Sequence, residues 1–504
     1  MLTRYRIPFF VFFFSLAFYV ATLAPTVQWG DFGGFQTRVS IGELELYPAG
    51  HPLWNLVARP FVWFVPFGDD AFRVNLSSAF FAALALATLY LGALRLTGSR
   101  SASILAVLAL GISHTFWTYA VVPKAYSLTL FILASCILLL QQWRGAEPQS
   151  GPATVSTQRR RGRWRIALVG ILTGLGVMNH LIVLTALPGL LLFVGWHSHE
   201  RFKDALAYAV GFAMGIAPYV ILLSLSPEKG GATGSFISSF MAMFLAVFFS
   251  PGDLLQGIAF TIANLGYQFI LLTFVGAWGW WLLWGRDRAF ALMVLLIFIG
   301  DMAFVLVPTD PPFMMHWHLY HPAYLAFAYA LAVGIHALIQ RVGASARLRL
   351  AVGAGIVIPA VLVYFLIAPD VARAIGFTER LGVRDFPGRD TVSFLFTPSK
   401  AGDFSAREYG ERVFGALPSN VVIIADWTPY TVLWYMQAVE GRRPDVTLQS
   451  LSDEPLLHEV NRYRGRPVYL ADTSRYYDVN SLSGQYRIVA QGPVYALVPL
   501  TSDS

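Results

Sequence analysis

Long apolar stretches recur along most of this 504-residue chain and constrain its fold more than any other feature. A helix of about 17–25 apolar residues is long enough to cross the roughly 30 Å hydrocarbon core of a bilayer. Hydrophobic residues form 56% of the sequence and charged residues 13%, so a water-soluble core cannot bury the apolar surface. We predict an α-helical polytopic membrane protein with about eleven spans, near residues 8–24, 74–94, 102–120, 125–143, 164–178, 180–196, 203–225, 258–284, 289–307, 320–340 and 349–369.

The distribution of arginine and lysine predicts the orientation, because these residues resist translocation. With a cytoplasmic N-terminus, seventeen of them up to residue 369 lie in cytoplasmic segments and five lie outside. The chain is therefore expected in the cytoplasmic (inner) membrane with its C-terminus outside. Two shorter stretches, 52–66 and 236–249, are expected to lie at the outer interface as helices. Since the basic residues occupy short loops, nucleic-acid binding is not expected.

The composition changes near residue 370, after which 14 of the 36 basic and 16 of the 29 acidic residues are found. We therefore divide the chain into a transmembrane domain, 1–369, and a soluble extracytoplasmic α/β domain, 370–504. Strand patterns at 421–424, 446–448 and 468–470 alternate with helical patterns at 404–417, 431–440 and 455–463. Asp426 and Trp427 follow the first strand, at the end where open α/β sheets place ligands; the alternative for Asp426 is to cap the next helix.

The loop after the first span contains Asp31 between Gly30 and the pair Gly33 and Gly34. A carboxylate this close to the membrane surface is costly to desolvate and is not needed to end a span. Glycines on both sides allow a substrate to approach the backbone closely. Asp31 is therefore the first candidate for a catalytic residue, and the alternative is a simple turn that leaves the span.

Several motifs in the first third of the chain are similar to those of one family. They are Pro-Thr-Val-x-Trp-x-Asp-x-Gly-x-Phe at 25–35, Tyr-Pro-Ala-Gly-His-Pro-Leu-Trp at 47–54, Arg-Val-Asn-Leu at 73–76, Thr-Phe-Trp at 115–117, Ala-Tyr-Ser-Leu at 125–128 and, much later, Trp-Tyr-Met-Gln-Ala-Val-Glu-Gly-Arg-Arg-Pro-Asp at 434–445. Together they resemble a bacterial multispanning family, formerly of unknown function, that is related to a vertebrate endoplasmic-reticulum protein O-mannosyltransferase. That family belongs to the GT-C superfamily of membrane glycosyltransferases.

The resemblance implies an inverting transfer of a sugar from a polyprenyl-phosphate donor to a protein hydroxyl or a cell-envelope glycan, at the extracytoplasmic face. Asp31 stands at the position of the family's loop aspartate. The chain departs from the family where Gly34 replaces a glutamate, where Tyr47 replaces a histidine, and around Val122 and Lys124, where relatives carry acidic residues. These departures leave the acceptor, the donor and activity itself open.

The same chemistry follows from the residues. Glycosyl transfer from a lipid phosphate needs a base for the acceptor hydroxyl, a role that Asp31 fits, and cations for the leaving phosphate. Each outer cation has an alternative role in contacting lipid headgroups. Substrate-binding candidates are Arg38, Arg59, Arg73, Lys124, His51, Tyr126 and Asp301; the last is an acid inside an apolar run that either lines the site or pairs with a neighbouring helix.

A second outer loop, 310–322, is rich in histidine and aromatic residues. Asp310, His316 and His318 are candidate ligands for a divalent metal, the only cofactor considered, although their spacing matches no standard site. The alternative is an aromatic belt at the membrane interface. The pair Asn179 and His180 is expected to form a turn.

Two other functions remain open. A transporter or lipid flippase is expected to show inverted hydropathy repeats, and no clear two-half symmetry is present. A catalytically silent relative that acts in binding or assembly is the other alternative. No nucleotide-binding motif occurs in the cytoplasmic loops, so the donor is expected to come from the membrane. The soluble domain is expected to help bind the acceptor above Asp31.

Overall fold

The computed structural model describes residues 2–47, 50–145, 152–226, 234–235, 238, 251–305, 313–343, 345–452 and 454–500. Every predicted span coincides with a helix or a pair of helices. The helices of the N-terminal part are α1 (Leu2–Ala21), α2 (Asp31–Ile41), α3 (Pro52–Phe64), α4 (Asp70–Thr97), α5 (Arg100–Gly111), α6 (His114–Ala120), α7 (Tyr126–Arg144), α8 (Pro152–Asn179), α9 (Leu187–His197), α10 (Arg201–Ser224), α11 (Pro251–Phe269), α12 (Leu272–Arg286), α13 (Arg288–Val305), α14 (His321–Val342), α15 (Ala346–Leu362) and α16 (Ala368–Ala374).

By length and composition, fewer helices of the described residues could cross a membrane than the eleven predicted. In the described residues, six helices are long and apolar enough to cross a bilayer, or eight if each of two bent pairs forms one span. Helices α5 and α6 meet at 71°, and helices α11 and α12 meet at 110°. The other predicted spans fall on α1, on α9 with the 3₁₀ turn before it, and on α8, whose first part carries the arginine run. The apolar parts Arg6–Ala21 of α1 and Leu181–His197 are shorter than the six helices, and α8 is polar over part of its length.

Close packing within the helical part depends on small residues, as is common between membrane helices. Helix α8 contacts α10 at Gly211 and Gly215. A Cβ atom on Gly211 would lie 2.1 Å from the carbonyl oxygen of Ala167, and one on Gly215 would lie 2.2 Å from that of Ile171. No larger side chain therefore fits at these two positions.

The two predicted interfacial stretches have different outcomes. The stretch 52–66 forms the 13-residue helix α3, which presents Trp63 and Phe64 outward. The stretch 236–249 lies outside the described residues, except for Ser238. Helix α2, directly after the Asp31 loop, is a second short helix beside α3.

The C-terminal part is the predicted α/β domain. Its helices are α17 (Phe377–Arg380), α18 (Thr391–Phe396), α19 (Ser405–Ala416), α20 (Trp427–Ala438) and α21 (Leu456–Asn461), and its strands are β1 (Val422–Ala425), β2 (Thr447–Ser450), β3 (Val468–Leu470), β4 (Tyr486–Gln491) and β5 (Val494–Pro499). The strand order is β2-β1-β3-β5-β4, with β1 parallel to β2 and β3. The antiparallel hairpin of β4 and β5 was not predicted. The last long apolar stretch, which contains α15 and α16, continues to Ala374, slightly beyond the predicted boundary at 369.

Both faces of the sheet are covered. Ile423 and Ala425 of β1 pack against α19 and α20, whereas Val422 and Ile424 pack on the other face with α21. All four residues of β1 are buried, which is typical of a central parallel strand. The first of these two cores also includes Val27, Trp29 and Ala71, which belong to the N-terminal part. The C-terminal α/β domain, called the outer domain below after its predicted side of the membrane, is therefore packed directly on the segment that precedes Asp31.

Polar contacts hold the outer domain in this position. The guanidinium of Arg407 donates to the hydroxyl of Thr26 at 2.9 Å and to the carboxylate of Asp69 at 3.0 Å. The indole of Trp29 donates to the hydroxyl of Ser405 at 2.9 Å. These groups are largely screened from water, so the hydrogen bonds restrict how the domain lies on the loop.

Candidate active site

Asp31 is the first residue of α2, and the chain reaches it through Gly30 in a left-handed conformation with φ of 61°. The amide of Gly30 donates to the carbonyl of Thr428 in the outer domain at 3.4 Å. The partial positive charge at the start of a helix favours a carboxylate. The loop therefore presents Asp31 at the junction between the helical part and the outer domain.

The Asp31 carboxylate has one partner from each part of the protein. Nζ of Lys124 lies 3.2 Å from Oδ2, and Nε1 of Trp427 donates to Oδ1 at 3.0 Å. The positive charge of Lys124 is the main reason why the pKa of Asp31 is lowered from its ordinary value. The Asp31 side chain is nevertheless 62% exposed, so its remaining lone pairs face open space. The geometry provides an ionised, accessible carboxylate.

Gly34, which departs from the family pattern, makes room for Trp427. A Cβ atom at Gly34 would lie 2.8 Å from Cζ2 of the Trp427 ring. A glutamate at this position therefore requires the indole to move, and the indole is the group that binds Asp31. Trp427 can therefore lie beside Asp31 only because residue 34 has no side chain.

Lys124 is held in place by aromatic rings and lies just before α7. Its side chain is 13% exposed, and its Nζ lies 4.8 Å from the ring centre of Phe35 and 5.6 Å from that of Phe32. An ammonium group over aromatic faces is stabilised by their quadrupoles. The charge of Lys124 therefore stays beside Asp31.

Histidine and tyrosine rings form a wall behind Lys124. His51 stacks on His180 with ring centres 4.9 Å apart, and Nδ1 of His51 lies 3.0 Å from the carbonyl oxygen of Asn179. Burial lowers the pKa of His51 to about 3, and the charge of Lys124 acts in the same direction. His51 is thus neutral at physiological pH and can exchange hydrogen bonds without adding charge.

The other rings of this wall surround Tyr126. Its ring stacks on His321 with centres 5.0 Å apart and lies 5.5 Å from His318. Tyr119 completes the group at 5.5 Å from His318. The structure therefore brings together five predicted site residues, namely Asp31, Lys124, His51, Tyr126 and His318.

The three outer arginines have different surroundings. Nε and Nη2 of Arg59 are buried and have no hydrogen-bond partner in the described part of the chain. Arg38 pairs with Glu45 at 2.7 Å and lies over the rings of Trp427 and Trp434. Arg59 thus has two unused buried donors for an anionic ligand, whereas Arg38 has one, its Nε.

Arg73 has local partners instead. Its guanidinium lies 3.1 Å from the carboxylate of Asp70 and donates to the carbonyls of Val62 and Phe67 at the end of α3. These contacts connect the end of α3 to the start of α4. Arg73 therefore has fewer free donors than Arg59.

Asp301 and the candidate metal ligands lie elsewhere or are only partly described. Asp301 is fully buried, and its Oδ2 accepts a hydrogen bond from the amide of Ala323 in the first turn of α14 at 2.9 Å. Asp310 lies outside the described residues, and the side chain of His316 is not described. Among the described residues, no three histidine, cysteine or acidic side chains are grouped as a metal site would require. The metal site remains a prediction.

Asp426 caps a helix, which was one of the two roles predicted for it. It is the residue before α20, and its carboxylate accepts from the amide of Thr428 at 3.3 Å. The same carboxylate pairs with Arg384 at 2.7 Å. Asp426 thus caps the helix that carries Trp427.

Three site residues were not predicted, namely Tyr119, His180 and His321, and Trp427 was noted only for its position after the first strand. His180 was expected only in a turn, but its Nδ1 accepts from the amide of Ile182 at 3.1 Å while its ring stacks on His51. The available signal was the presence of polar aromatic rings at the outer ends of apolar stretches. Trp427 followed the first strand of the outer domain, a position where ligand-binding residues are frequent.

Comparison with known proteins confirms the resemblance predicted from the motifs. Residues 43–205 match the family model described as the protein O-mannosyl-transferase TMEM260 N-terminal domain. Over 218 residues, 42% of this chain, the sequence is 28% identical to the protein O-mannosyl-transferase TMEM260 of Mus musculus. The match spans 29% of the length of that mouse protein. The family region includes Lys124 and His51, and Asp31 precedes it.

Solved structures share the fold over almost the whole chain. ArnT from Cupriavidus metallidurans in the apo state is 15% identical, with 97% of each chain covered and a TM-score of 0.58. The archaeal oligosaccharyltransferase AglB from Archaeoglobus fulgidus, in complex with an inhibitory peptide and a dolichol-phosphate, is 13% identical, with a TM-score of 0.52. That comparison covers 99% of this chain and 75% of AglB. The predicted GT-C fold is confirmed.

Proposed function

We propose that this protein is an integral-membrane glycosyltransferase that moves a sugar from a polyprenyl-phosphate donor to an acceptor hydroxyl at the extracytoplasmic face. The observation that carries the proposal is the Asp31 carboxylate, which Lys124 keeps ionised while more than half of its side chain remains exposed. It lies at the junction of a membrane-helix bundle and an outer domain, where a lipid-borne donor and a water-borne acceptor can meet.

In the proposed reaction, Asp31 accepts the proton of the acceptor hydroxyl. The hydroxyl oxygen forms a bond to the anomeric carbon of the sugar, and the bond between that carbon and the phosphate oxygen breaks on the opposite side. The polyprenyl phosphate leaves with the bonding electron pair, so the configuration at the anomeric carbon inverts. A general base positioned in this way typically contributes about 10²–10⁴-fold to the rate.

Cationic residues neutralise the phosphate that leaves. Lys124 supplies a compact charge beside Asp31. Arg59, whose guanidinium lies next to Gly42 at the other end of α2, supplies two buried donors that have no partner in the described residues, for a more distant part of the donor. An arginine guanidinium matches phosphate oxygens with paired donors. The neutral rings of His51 and Tyr126 add hydrogen-bonding groups for sugar hydroxyls without competing for the phosphate.

The names of similar proteins support this substrate class. The mouse relative is named a protein O-mannosyl-transferase, and the structure of AglB contains a dolichol-phosphate, a polyprenyl-type lipid. We therefore place the donor among polyprenyl-phosphate-linked sugars and the acceptor among protein hydroxyls and cell-envelope glycans. The outer domain, which supplies Trp427 to the site, is proposed to help bind the acceptor.

The proposed location is the cytoplasmic membrane of a bacterium, in contact with its lipids. The N-terminus lies in the cytoplasm and the α/β domain outside, as the excess of basic residues in alternate loops favours. Asp31 then faces the same compartment as the outer domain. A divalent metal remains a proposal that rests on Asp310, His316 and His318.

The deciding experiment compares Asp31→Asn with the native protein, both purified in detergent and supplied with polyprenyl-phosphate-linked sugars and an acceptor. Asparagine keeps the shape but removes the basic oxygen, so we expect turnover to fall by roughly 10²-fold or more while donor binding is retained. Asp370→Asn is the matched control, because this exposed aspartate pairs only with Arg373 on α16. An unchanged turnover in Asp31→Asn would exclude Asp31 as the base.

A further inference from the structure

The outer domain contains a second cleft that the Asp31 chemistry does not use. It has a volume of about 550 Å³ and opens beside Asp472 and Pro429, which follow β3 and β1. Strand β1 lies between β2 and β3, and the chain continues from β1 to β2 on one side before it reaches β3 on the other. The cleft is therefore at the point where the strand order reverses, where open α/β sheets bind ligands.

Arg384 and Asp472 form the floor of this cleft, and Asp426 lies behind them against Arg384. The guanidinium of Arg384 lies 2.7 Å from the carboxylate of Asp426 and 2.6 Å from that of Asp472. Only 16% of the Arg384 side chain is exposed, whereas 31% of the Asp472 side chain is. This group presents both hydrogen-bond donors and acceptors, and its two carboxylates against one guanidinium leave a net negative charge.

The rim adds one charge of each sign. Arg412 and Asp385 line the cleft and are exposed. Neither forms a hydrogen bond or an ion pair with the described part of the chain, so both side chains can turn toward a ligand. Gly388, with φ of 78°, leaves open the space next to Nη2 of Arg412.

Aromatic rings form the wall on the side of the helical part. Trp29 lies with its ring centre 5.1 Å from Phe386 and 4.8 Å from Tyr409. Arg389 covers the ring of Phe386 at 3.9 Å. Trp29 and Tyr409 are only 5% and 3% exposed, so the wall is rigid and offers a ligand the edges of these rings beside a polar floor. Such a small apolar edge next to polar groups suits a ligand with both C–H and hydroxyl groups.

We propose that this cleft binds a neutral carbohydrate. Sugar hydroxyls donate and accept hydrogen bonds, which matches a floor and rim of paired carboxylates and guanidiniums better than an anion does. An anion gains little here, because Arg384 is neutralised and Asp385 offsets Arg412. The inference stands whether or not Asp31 transfers a sugar. Since Trp29 is two residues before Asp31, a carbohydrate in this cleft lies beside the Asp31 loop.

The test is a titration of the full-length protein in detergent with methyl glycosides of mannose, glucose, galactose and N-acetylglucosamine, followed by saturation-transfer NMR. We expect at least one glycoside to bind with a Kd in the millimolar range. Arg412→Ala and Asp385→Asn should each raise that Kd about fivefold, which corresponds to the loss of one hydrogen bond. Arg487→Ala, which removes another exposed arginine on the edge strand β4, is the control and should leave the Kd unchanged.

Three outcomes would overturn the proposal. They are no binding of any of these glycosides below about 10 mM, binding that survives both rim substitutions, and tighter binding of inorganic phosphate than of every glycoside. Asp31→Asn separates this site from the proposed transfer reaction. It should leave glycoside binding at the cleft unchanged, and a loss of that binding would place the glycoside at Asp31 instead.

Discussion

The indole Nε1 of Trp427 donates a 3.0 Å hydrogen bond to Oδ1 of Asp31, across 396 residues of sequence. Asp31 belongs to the loop after the first helix, and Trp427 belongs to the outer α/β domain. The proposed base is therefore oriented by a residue of another part of the fold. Activity and the seating of the outer domain are thus expected to depend on each other.

The hydrogen bond from Trp427 can be tested with Trp427→Phe, which keeps an aromatic ring but removes the donor. Because the indole and Lys124 both lower the pKa of Asp31, the loss of the indole should raise this pKa. A base with a raised pKa is protonated at higher pH, so the acidic limb of the kcat/KM profile should move to higher pH. We expect the loss of activity to be about tenfold, and greatest at acidic pH.

The control for this substitution is Trp434→Phe. Trp434 lies on the same helix and contacts Arg38, but it makes no hydrogen bond to Asp31. Its pH profile should match that of the native protein. Identical profiles for Trp427→Phe and the native protein would show that the indole does not act on the ionisation of Asp31.

The space at Gly34 leads to a double-substitution test. Gly34→Glu should displace Trp427, since even a Cβ atom would lie 2.8 Å from its ring. We expect a lower melting temperature and roughly 10²-fold lower turnover, because both packing and the Asp31 contact are lost. Adding Trp427→Ala removes the clash and should restore part of the stability. The melting temperatures of the single and the double variant are measured by thermal unfolding in detergent.

Gly195→Ala is a suitable control, because no other atom lies within 4 Å of the added Cβ. It should change neither stability nor turnover. If Trp427→Ala lowers the melting temperature of Gly34→Glu further, the two residues do not compete for the same space.

Arg59 and Arg73 are expected to respond in opposite ways to replacement by methionine. Arg59→Met removes buried donors that have no protein partner in the described residues, so it should weaken donor binding by about tenfold or more with little change in stability. Arg73→Met removes contacts to Asp70 and to the end of α3. It should lower the free energy of unfolding by about 1 kcal/mol while donor affinity remains.

These two variants serve as controls for each other. Donor affinity is measured by titration with a polyprenyl phosphate, and stability by thermal unfolding. Equal donor affinities for Arg59→Met and the native protein would remove Arg59 from the proposed phosphate site. A weakened affinity in Arg73→Met alone would assign that role to Arg73.

The orientation in the membrane is tested with reporters fused after Ser504. The excess of basic residues in alternate loops favours a cytoplasmic N-terminus and an outer C-terminal domain. A reporter that functions only outside the cytoplasm should therefore be active, and one that functions only in the cytoplasm should be inactive. The reverse pattern would place Asp31 on the cytoplasmic face and remove the basis for the extracytoplasmic reaction.

The sequence alone determined the class of the protein and the positions of most elements. Apolar length is a local property, so every predicted span falls on a helix, and strand β1 is evident from a run of β-branched residues. The described helices that could cross a membrane number six to eight by length and composition, because two predicted spans are sharply bent and those on α1, α8 and α9 are short or partly polar. The hairpin of β4 and β5 was missed because its strands are partly exposed and only weakly patterned.

Asp31 and Lys124 were each identified from the sequence, but only the tertiary structure paired them at 3.2 Å and added Trp427. Sequence patterns report on neighbours within a helix turn or a strand, whereas these residues meet through the packing of separate elements. The same packing explains why Gly34 has no side chain, why Arg59 keeps unused donors and why Arg73 does not. The type of a residue and its place in the chain indicated its possible chemistry. The packing of the outer domain on the helices determined its partners.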